Sequence, residues 1–338
     1  MANLPFYNNL DEKRRFFSNG QKESFIIDTK KKLEEWFEEF HKTNLEEKRK
    51  DATAIIYRGV TEAKYKLLTS AQRLWISNEM KQWANKDYLS FIISLISNAK
   101  NNPVIKKVFD LYNYSSSERE FPILSLLQHY GAPTPLMDWT YNSKIAFFFG
   151  IDGVVKKEQP INDIDNYFSI YKINKRNYRR EFLNIIDIFP NELYPELNAF
   201  RDFGDKKDNE NSNSIFYISD FEKKGESTGD TKPYPRILIR SKKPLTSVYN
   251  QNIVTQEGLF IFNPFSAKTI EEIFNVNLNE DGWNLSLTPF ECFNIHKDLA
   301  EYLKRKIEIN DKINTEFIYP NLNKEAQKIK EKTMNDLI

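Results

Sequence analysis

Four side chains with acid, base or charge-binding chemistry stand where the backbone is expected to change direction. Arg58 follows the β-branched run TAIIY, and Asp138 lies between apolar residues at a strand-to-helix turn. Gln256 and Glu257 come directly before another predicted strand. A buried carboxylate without a partner is costly, so Asp138 is expected to have polar or cationic neighbours. Together these residues predict a site, but they leave open which reaction or ligand it serves.

Arg58 is followed by Gly59, and this pair suggests a place where a ligand approaches the main chain closely. A glycine leaves room beside the backbone, and a guanidinium offers donors in a planar fork. A second arginine, Arg73, ends the segment 65–73, which is expected to be extended. The alternative is that Arg58 pairs with a structural carboxylate and serves no ligand.

The segment 128–150, QHYGAPTPLMDWTYNSKIAFFFG, is expected to shape the surface around Asp138. A glycine suited to a left-handed helix end and two prolines force the chain into an extended path. Residues 136–139 then predict a short buried strand, and Thr140 or Asn142 can cap the apolar helix that follows and ends at a glycine. The alternative for Asp138 is that it only caps this helix.

Residues 172–180 form a dense basic cluster with an aromatic ring inside it. Such a cluster can hold a phosphate backbone and stack a base. A solvated surface is the alternative, because runs of charge are common there. The candidate nucleic-acid-binding residues are Lys175, Arg176, Tyr178, Arg179 and Arg180.

The composition excludes several classes of protein. Of 338 residues, 49 are basic and 48 acidic, so the net charge of +1 favours no polyanionic partner by itself. The single cysteine, Cys292, fits a reducing cytoplasm and is expected in the core. Three dispersed histidines predict no metal site. Neither a secretory signal nor a membrane span is expected, and no phosphate-binding glycine motif is present.

The order of predicted elements favours an α+β fold. Helices dominate residues 24–150, with a buried strand near Arg58, and strands dominate residues 151–300. The expected organisation is a loosely docked N-terminal arm over 1–23 and a single domain over 24–335, with closing helices within 297–335.

Three motifs resemble those of the FRG domain family, which is named for a Phe-Arg-Gly triplet. They are YRG at 57–59, the segment 128–150, and QEGLF at 256–260. Tyr57 replaces the family's Phe, Pro135 stands where the family usually has Arg, and Ser143 stands where it has Pro. The segment IYPNLNKEAQKI at 318–329 is similar to the family's C-terminal part, so the resemblance spans 24–330.

The order of these motifs resembles the three-motif layout of the ADP-ribosyltransferase fold. The resemblance implies a split antiparallel sheet beside a helical N-terminal half, with NAD in the cleft. It implies a cytoplasmic bacterial toxin or anti-phage effector that modifies a macromolecule, with nucleic acid preferred over protein, and that an antitoxin protein can restrain. An NAD glycohydrolase and a non-catalytic nucleotide- or nucleic-acid-binding module are the alternatives.

The resemblance also assigns roles to residues. Arg58 would hold the diphosphate or ribose, and Tyr65 or Trp139 would stack on nicotinamide. The third-motif acid usually stands at the position of Gln256, and Glu257 is its neighbour. The expected catalytic residues are Arg58, Asp138, Gln256 and Glu257. The expected NAD-binding residues are Tyr57, Arg58, Gly59, Tyr65, Arg73, His129, Trp139 and Thr140.

Overall fold

Strands and helices alternate along most of the chain. A computed structural model describes residues 3–50, 55–78, 88–111, 120–156, 158–174, 215–220, 235–240, 255–263, 265–274, 290–321, 324, 326–327 and 329–332. The strands are β1 (Ile26–Ile27), β2 (Ile55–Val60), β3 (Leu136–Thr140), β4 (Tyr167–Asn174), β5 (Ile215–Asp220), β6 (Pro235–Arg240), β7 (Gly258–Phe262) and β8 (Phe290–His296). The helices are α1 (Leu10–Arg14), α2 (Lys30–Lys50), α3 (Ser70–Ser77), α4 (Tyr88–Asn101), α5 (Pro103–Leu111), α6 (Glu120–His129), α7 (Ser143–Ile151), α8 (Ile270–Phe274), α9 (Ala300–Asp311) and α10 (Thr315–Ile318). None of these helices is long and apolar enough to cross a membrane.

The strands of the described chain lie in one sheet, in the order β1-β8-β4-β2-β3-β7-β5-β6. Most neighbours are antiparallel, but β1 runs parallel to β8 and β5 runs parallel to β7. The predicted α+β class is confirmed. The sheet is mixed, in contrast to the expected split antiparallel sheet. Its parallel pairs join strands that are separated by long connections in the sequence, as parallel neighbours require.

The junction between β2 and β3 is the weakest inside this sheet. It has a single register pair, Tyr57 opposite Thr140. Each of the two strands pairs along its whole length on its other side, β2 with β4 and β3 with β7. Arg58 and Asp138 therefore lie on opposite sides of a gap in the hydrogen-bonded sheet.

Two groups of helices cover one face of the sheet, which we call the helical face. Helices α2, α7 and α9 pack on the strands from β1 to β2, and α3, α4 and α6 pack on β3 and β7. Side chains alternate along a strand, so Asp138 and Thr140 share a face with Leu136, which packs under the second group. Thr140 lies opposite Tyr57, which packs under the first group. Asp138 is exposed and lies where the two groups meet.

Helix α7 lies directly against the main chain of β2 at Gly59. A Cβ atom on Gly59 would collide with the carbonyl oxygen of Ala146 and the amide nitrogen of Gly150. The helix begins after Asn142, whose side chain accepts a hydrogen bond from the Lys144 amide at 3.1 Å, as predicted for this position. Gly150 was expected to end the helix, but it lies within α7, where its missing side chain makes room for Ile170 of β4.

The N-terminal segment packs tightly against the other face of the sheet. Its buried apolar residues are Tyr7, Leu10, Phe17 and Phe25. Lys13 is also fully buried, and its Nζ donates to the Ala63 carbonyl, Ser169 Oγ and Asn294 Oδ1 at 2.7–2.9 Å. The predicted loose docking was wrong. The apolar residues of this segment follow no single helix or strand period, so no pattern announced a buried face.

Candidate functional site

Arg58 lies in the gap between β2 and β3. Its Nη1 donates a hydrogen bond to the main-chain carbonyl of Asp138, so the guanidinium bridges the two strands where they no longer pair. Its Nε is buried and has no partner among the described residues. Burial lowers the pKa of the Arg58 guanidinium, and the Asp138 carboxylate opposes that shift. Because arginine stays charged in proteins, Arg58 is a partly buried cation with a donor to spare.

Asp138 has an exposed carboxylate on the helical face of the sheet. Its Oδ2 accepts a hydrogen bond of 2.9 Å from Gln128 Nε2, near the end of α6. Gln128 is fixed in turn, because its Oε1 accepts from Thr134 Oγ1 at 2.6 Å. This chain of hydrogen bonds orients Asp138 from the side of α6. Gln128 was not expected to take part, although it is the first residue of the motif that predicted the site.

Arg73 brings a second guanidinium within electrostatic reach of Asp138. It lies within α3, where an extended segment was expected, because Thr69 and Gln72 form a capping box that starts a helix at Ser70. Its Nη1 donates to the Leu68 carbonyl at 2.7 Å. Burial lowers the pKa of Arg73 and the Asp138 carboxylate raises it, while the charge of Arg73 further lowers the pKa of Arg58. The two arginines thus lie within electrostatic reach of each other and of one carboxylate.

The turn before β7 is joined to the end of β3. Thr140 Oγ1 donates to the Gln256 carbonyl at 2.6 Å, and the Tyr141 amide donates to the Glu257 carbonyl at 3.0 Å. Glu257 is exposed and has a φ of 44°, in the left-handed region that disfavours residues other than glycine. Its Oε1 accepts a hydrogen bond of 2.7 Å from Asn142 Nδ2. A strained residue whose carboxylate is held by a helix cap is typical of a functional position.

The match to a known family covers the part of this site that contains Arg58 and Asp138, but not the turn before β7. Residues 53–159 match the family model of the FRG domain. The chain contains an FRG domain. The matched residues include Arg58, Arg73, Gln128 and Asp138, whereas the turn at 256–257 lies beyond them. No curated protein and no solved structure matches the chain significantly.

The two predicted residues of the QEGLF motif, Gln256 and Glu257, differ in what their side chains do. Gln256 Nε2 donates to the carbonyl of Ile318 at 3.2 Å, so this amide is engaged by the main chain at the end of α10. Glu257, its neighbour, carries the exposed carboxylate. Glu257 thus has the exposed carboxylate of this turn, and the Gln256 side chain fastens the turn to α10.

Several of the predicted NAD-binding residues are buried, packed against a helix or hydrogen-bonded within the fold. Tyr57 is fully buried under α2, and Gly59 lies against α7. Thr140 Oγ1 is used within the turn, as both a donor to Gln256 and an acceptor from the Asn142 amide at 3.0 Å. Trp139 is 3% exposed and packs against Phe290 with ring centroids 5.9 Å apart. Its ring is thus part of the core and offers no face to a ligand.

Two other predicted residues of the FRG domain are accessible, but no contact links them to Asp138. Tyr65 is 51% exposed and forms an isolated bridge with Phe6. His129 ends α6 and packs against the ring of Tyr130 at 4.9 Å. Both roles stay predictions.

The remaining predictions fall on other parts of the chain. The candidate nucleic-acid-binding residues, Lys175, Arg176, Tyr178, Arg179 and Arg180, lie outside the described residues. Lys172, from the start of that cluster, is buried in β4 and pairs with Glu291 at 2.9 Å. Cys292 is fully buried, as predicted. Within the described ranges, no three His, Cys, Asp or Glu side chains are grouped to hold a metal ion.

Proposed function

We propose that this FRG-domain protein transfers ADP-ribose from NAD to a macromolecule. The observation that carries the proposal is the pair of guanidinium groups, Arg58 and Arg73, within electrostatic reach of the exposed carboxylate of Asp138, with Arg58 bound to the Asp138 carbonyl at the weak junction of the sheet. Two planar cationic forks suit the oxygens of a diphosphate. A nearby carboxylate suits the hydroxyl groups of a ribose and the positive charge that develops on it.

The chemistry requires a diphosphate grip and at least one carboxylate. In the transfer, the bond between ribose C1′ and the nicotinamide nitrogen breaks, and its electron pair stays on nicotinamide. An acceptor nucleophile then forms a bond to C1′ and gives up its proton. Arg58 and Arg73 hold the diphosphate, so that the reacting centre is positioned. A carboxylate stabilises the oxocarbenium-like ribose electrostatically.

Glu257 is the carboxylate that we assign to the ribose, in preference to Gln256. The Gln256 side chain donates to the main chain at Ile318, and an amide carries no charge to stabilise a cation. Glu257 is exposed, and Asn142 orients its carboxylate. Asp138 lies on the strand beside this turn and is already held by Gln128, which suits it to position the ligand near the arginines.

A non-catalytic nucleotide-binding module is the second candidate. It is favoured by the hydrogen bonds of the turn before β7. There the Gln256 side chain is bound to the main chain and the Glu257 carboxylate to Asn142. Such a module would keep the anion grip of Arg58 and Arg73 without using a carboxylate in a reaction. NAD hydrolysis to free ADP-ribose is a further outcome that the same assay distinguishes.

The acceptor and the biological setting complete the proposal. Nucleic acid is the preferred acceptor, because Lys175 to Arg180 place basic side chains around an aromatic ring in the sequence. A protein acceptor is the alternative. The proposed setting is a bacterial cytoplasm, where the protein acts as a toxin or anti-phage effector under the control of an antitoxin.

The test is incubation of the purified protein with labelled NAD and bacterial lysate, followed by separation of nucleic acid, protein and free nucleotide. We expect label in the nucleic-acid fraction with the wild type and with Arg305→Ala. Arg305 is a matched control, because it is exposed on α9 and pairs only with Glu301 of the same helix among the contacts seen there. Arg58→Ala is expected to lose the label.

The same assay separates the candidates. Label in protein would name the other acceptor class, and free ADP-ribose alone would indicate a glycohydrolase. NAD that binds but stays intact would indicate the binding module. NAD that neither binds nor reacts would overturn the proposal. Glu257→Gln and Asp138→Asn then show which carboxylate takes part in the reaction.

A further inference from the structure

The chain after α9 is fastened to the turn that carries Glu257. Helix α9 ends at Lys312, which has a left-handed φ of 57° and redirects the chain. Asn314 then caps α10 by accepting a hydrogen bond from the Phe317 amide at 2.9 Å. Ile318 is fully buried, and its carbonyl accepts the hydrogen bond from Gln256 Nε2. Residues 312–321 therefore form a folded segment beside the site.

This segment places Tyr319 directly after Ile318, whose carbonyl binds Gln256 in the turn that is joined to Thr140 at the end of β3. The ring is 43% exposed, and its centroid lies 6.4 Å from that of Phe148 and 6.5 Å from that of Phe149, both on α7. Burial raises the pKa of Tyr319, and the carboxylates of Asp152 and Asp138 raise it further. Tyr319 is thus a half-exposed ring supported by other aromatic rings, within electrostatic reach of Asp138.

We infer that Tyr319 stacks against a planar base of the ligand whose diphosphate is held by Arg58 and Arg73. The inference rests on the proposed nucleotide site but does not require that the site transfers ADP-ribose. Trp139, which was predicted to stack, is 3% exposed and part of the core, whereas Tyr319 is 43% exposed. The ring has support behind it, so little side-chain freedom is lost when a base binds.

Binding of ADP and of inorganic pyrophosphate, measured by calorimetry on the full chain, tests this role. Both probes present a diphosphate, and only ADP has a base. We expect Tyr319→Ala to weaken ADP binding by about 5- to 150-fold, the range for loss of one base-stacking contact, and to leave pyrophosphate binding unchanged. Tyr319→Phe keeps the ring and should bind ADP within about twofold of the wild type.

Phe317→Ala is the matched control, because Phe317 lies on α10 in the same segment and is 44% exposed. We expect it to bind both probes as the wild type does. Equal weakening by Phe317→Ala and Tyr319→Ala, or equal weakening of ADP and pyrophosphate by Tyr319→Ala, would mean that only the fold of the segment matters. That result, or an unchanged ADP affinity in Tyr319→Ala, would overturn the role of Tyr319.

Arg58→Ala separates this inference from the proposed function. Loss of pyrophosphate binding in Arg58→Ala, together with an unchanged ADP affinity in Tyr319→Ala, would remove Tyr319 and leave the diphosphate site in place. A wild-type protein that binds neither probe would overturn both proposals.

Discussion

Asp138 has three neighbours with hydrogen-bond donors, and their distribution decides whether the arginines are free for a ligand. Gln128 holds the carboxylate from the side of α6, while Arg58 donates to the Asp138 carbonyl. Arg73 acts on Asp138 through its charge. The carboxylate therefore has a neutral partner of its own, and the cationic donors are not consumed in a closed ion pair.

Removing the neutral partner should release Asp138 toward the arginines. In Gln128→Met the side chain keeps its size but loses its amide, so the carboxylate can pair with Arg73 and compete with an anion. We expect ADP to bind about tenfold more weakly, since a hydrogen bond to a charged group contributes about 1.5–3 kcal/mol. Gln128→Glu adds a second negative charge and should weaken binding further. ADP affinities equal to that of the wild type in both variants would contradict this assignment.

Asn142 combines two tasks in one side chain. Its Oδ1 caps α7 and its Nδ2 donates to Glu257. Asn142→Asp preserves the first task, because aspartate caps helices about as well as asparagine. It replaces the donor by an acceptor that repels Glu257. We expect ADP-ribosyl transfer to fall about tenfold or more, with the melting temperature unchanged within about 2 °C.

The same substitution at a remote helix cap provides the control. Asn9 caps α1 by accepting from the Glu12 amide at 2.7 Å, and it is exposed. Asn9→Asp should leave both transfer and melting temperature unchanged. Full transfer activity in Asn142→Asp would show that the orientation of Glu257 does not matter to the reaction.

Among the elements, β2 and α7 must lie in direct contact for the site to form. Gly59→Ala would force a methyl group into the main chain of α7 at Ala146 and Gly150, and neither backbone atom can rotate away. We expect a loss of free energy of unfolding at the upper end of the ~1–3 kcal/mol typical of overpacking, measured by urea denaturation. ADP affinity should fall as well, because Gly59 directly follows Arg58 on β2.

Gly150→Ala tests the same contact from the side of the helix. Its new methyl group would meet the Cδ1 atom of Ile170 at 2.8 Å, which is the end of a flexible side chain. Alanine also favours a helix over glycine by about 1 kcal/mol. Gly150→Ala should therefore be clearly milder than Gly59→Ala. The opposite order would show that the close contact at Gly59 is not rigid.

The elements that carry the site were predictable where a proline or a helix-capping residue marks the end of an element. Pro135 and Asn142 delimit β3 and the start of α7, and β7 follows the turn at Glu257. Arg73 was predicted in an extended segment, but the capping box of Thr69 and Gln72 starts α3 before it. The contact of Gln128 with Asp138, and that of Ile318 with Gln256, depend on how distant elements pack, and no local pattern encodes such contacts.

Across the fold, buried polar side chains tie the N-terminal segment to α8 and β8, which come late in the chain. Glu271 of α8 is fully buried, and its Oε1 accepts hydrogen bonds from Tyr7 Oη at 2.8 Å and from the Leu67 amide at 3.0 Å. Lys13 is buried in the same core, and Cys292 borders it. These long-range contacts explain why the segment is part of the fold.

Burial raises the pKa of Glu271, although its hydrogen bonds oppose the shift, so the folded state holds a proton on Glu271 more tightly than the unfolded state does. Its contribution to stability is fully present below the ordinary carboxyl pKa and is lost as pH rises through the raised value. Glu271→Gln keeps an acceptor for Tyr7 and cannot ionise. The variant should gain free energy of unfolding relative to the wild type as pH rises above the ordinary carboxyl pKa toward the raised pKa of Glu271.

That gain is limited to about 1.4 kcal/mol per pH unit for a single proton, and urea denaturation at several pH values measures it. Burial lowers the pKa of Lys13, which makes stability rise with pH, but Lys13 is present in both proteins and its effect largely cancels in the difference. A difference in free energy of unfolding that stays constant with pH would mean that Glu271 titrates alike in the folded and unfolded chains. Its burial would then carry no penalty, and the N-terminal segment would have to open easily enough for water to reach it.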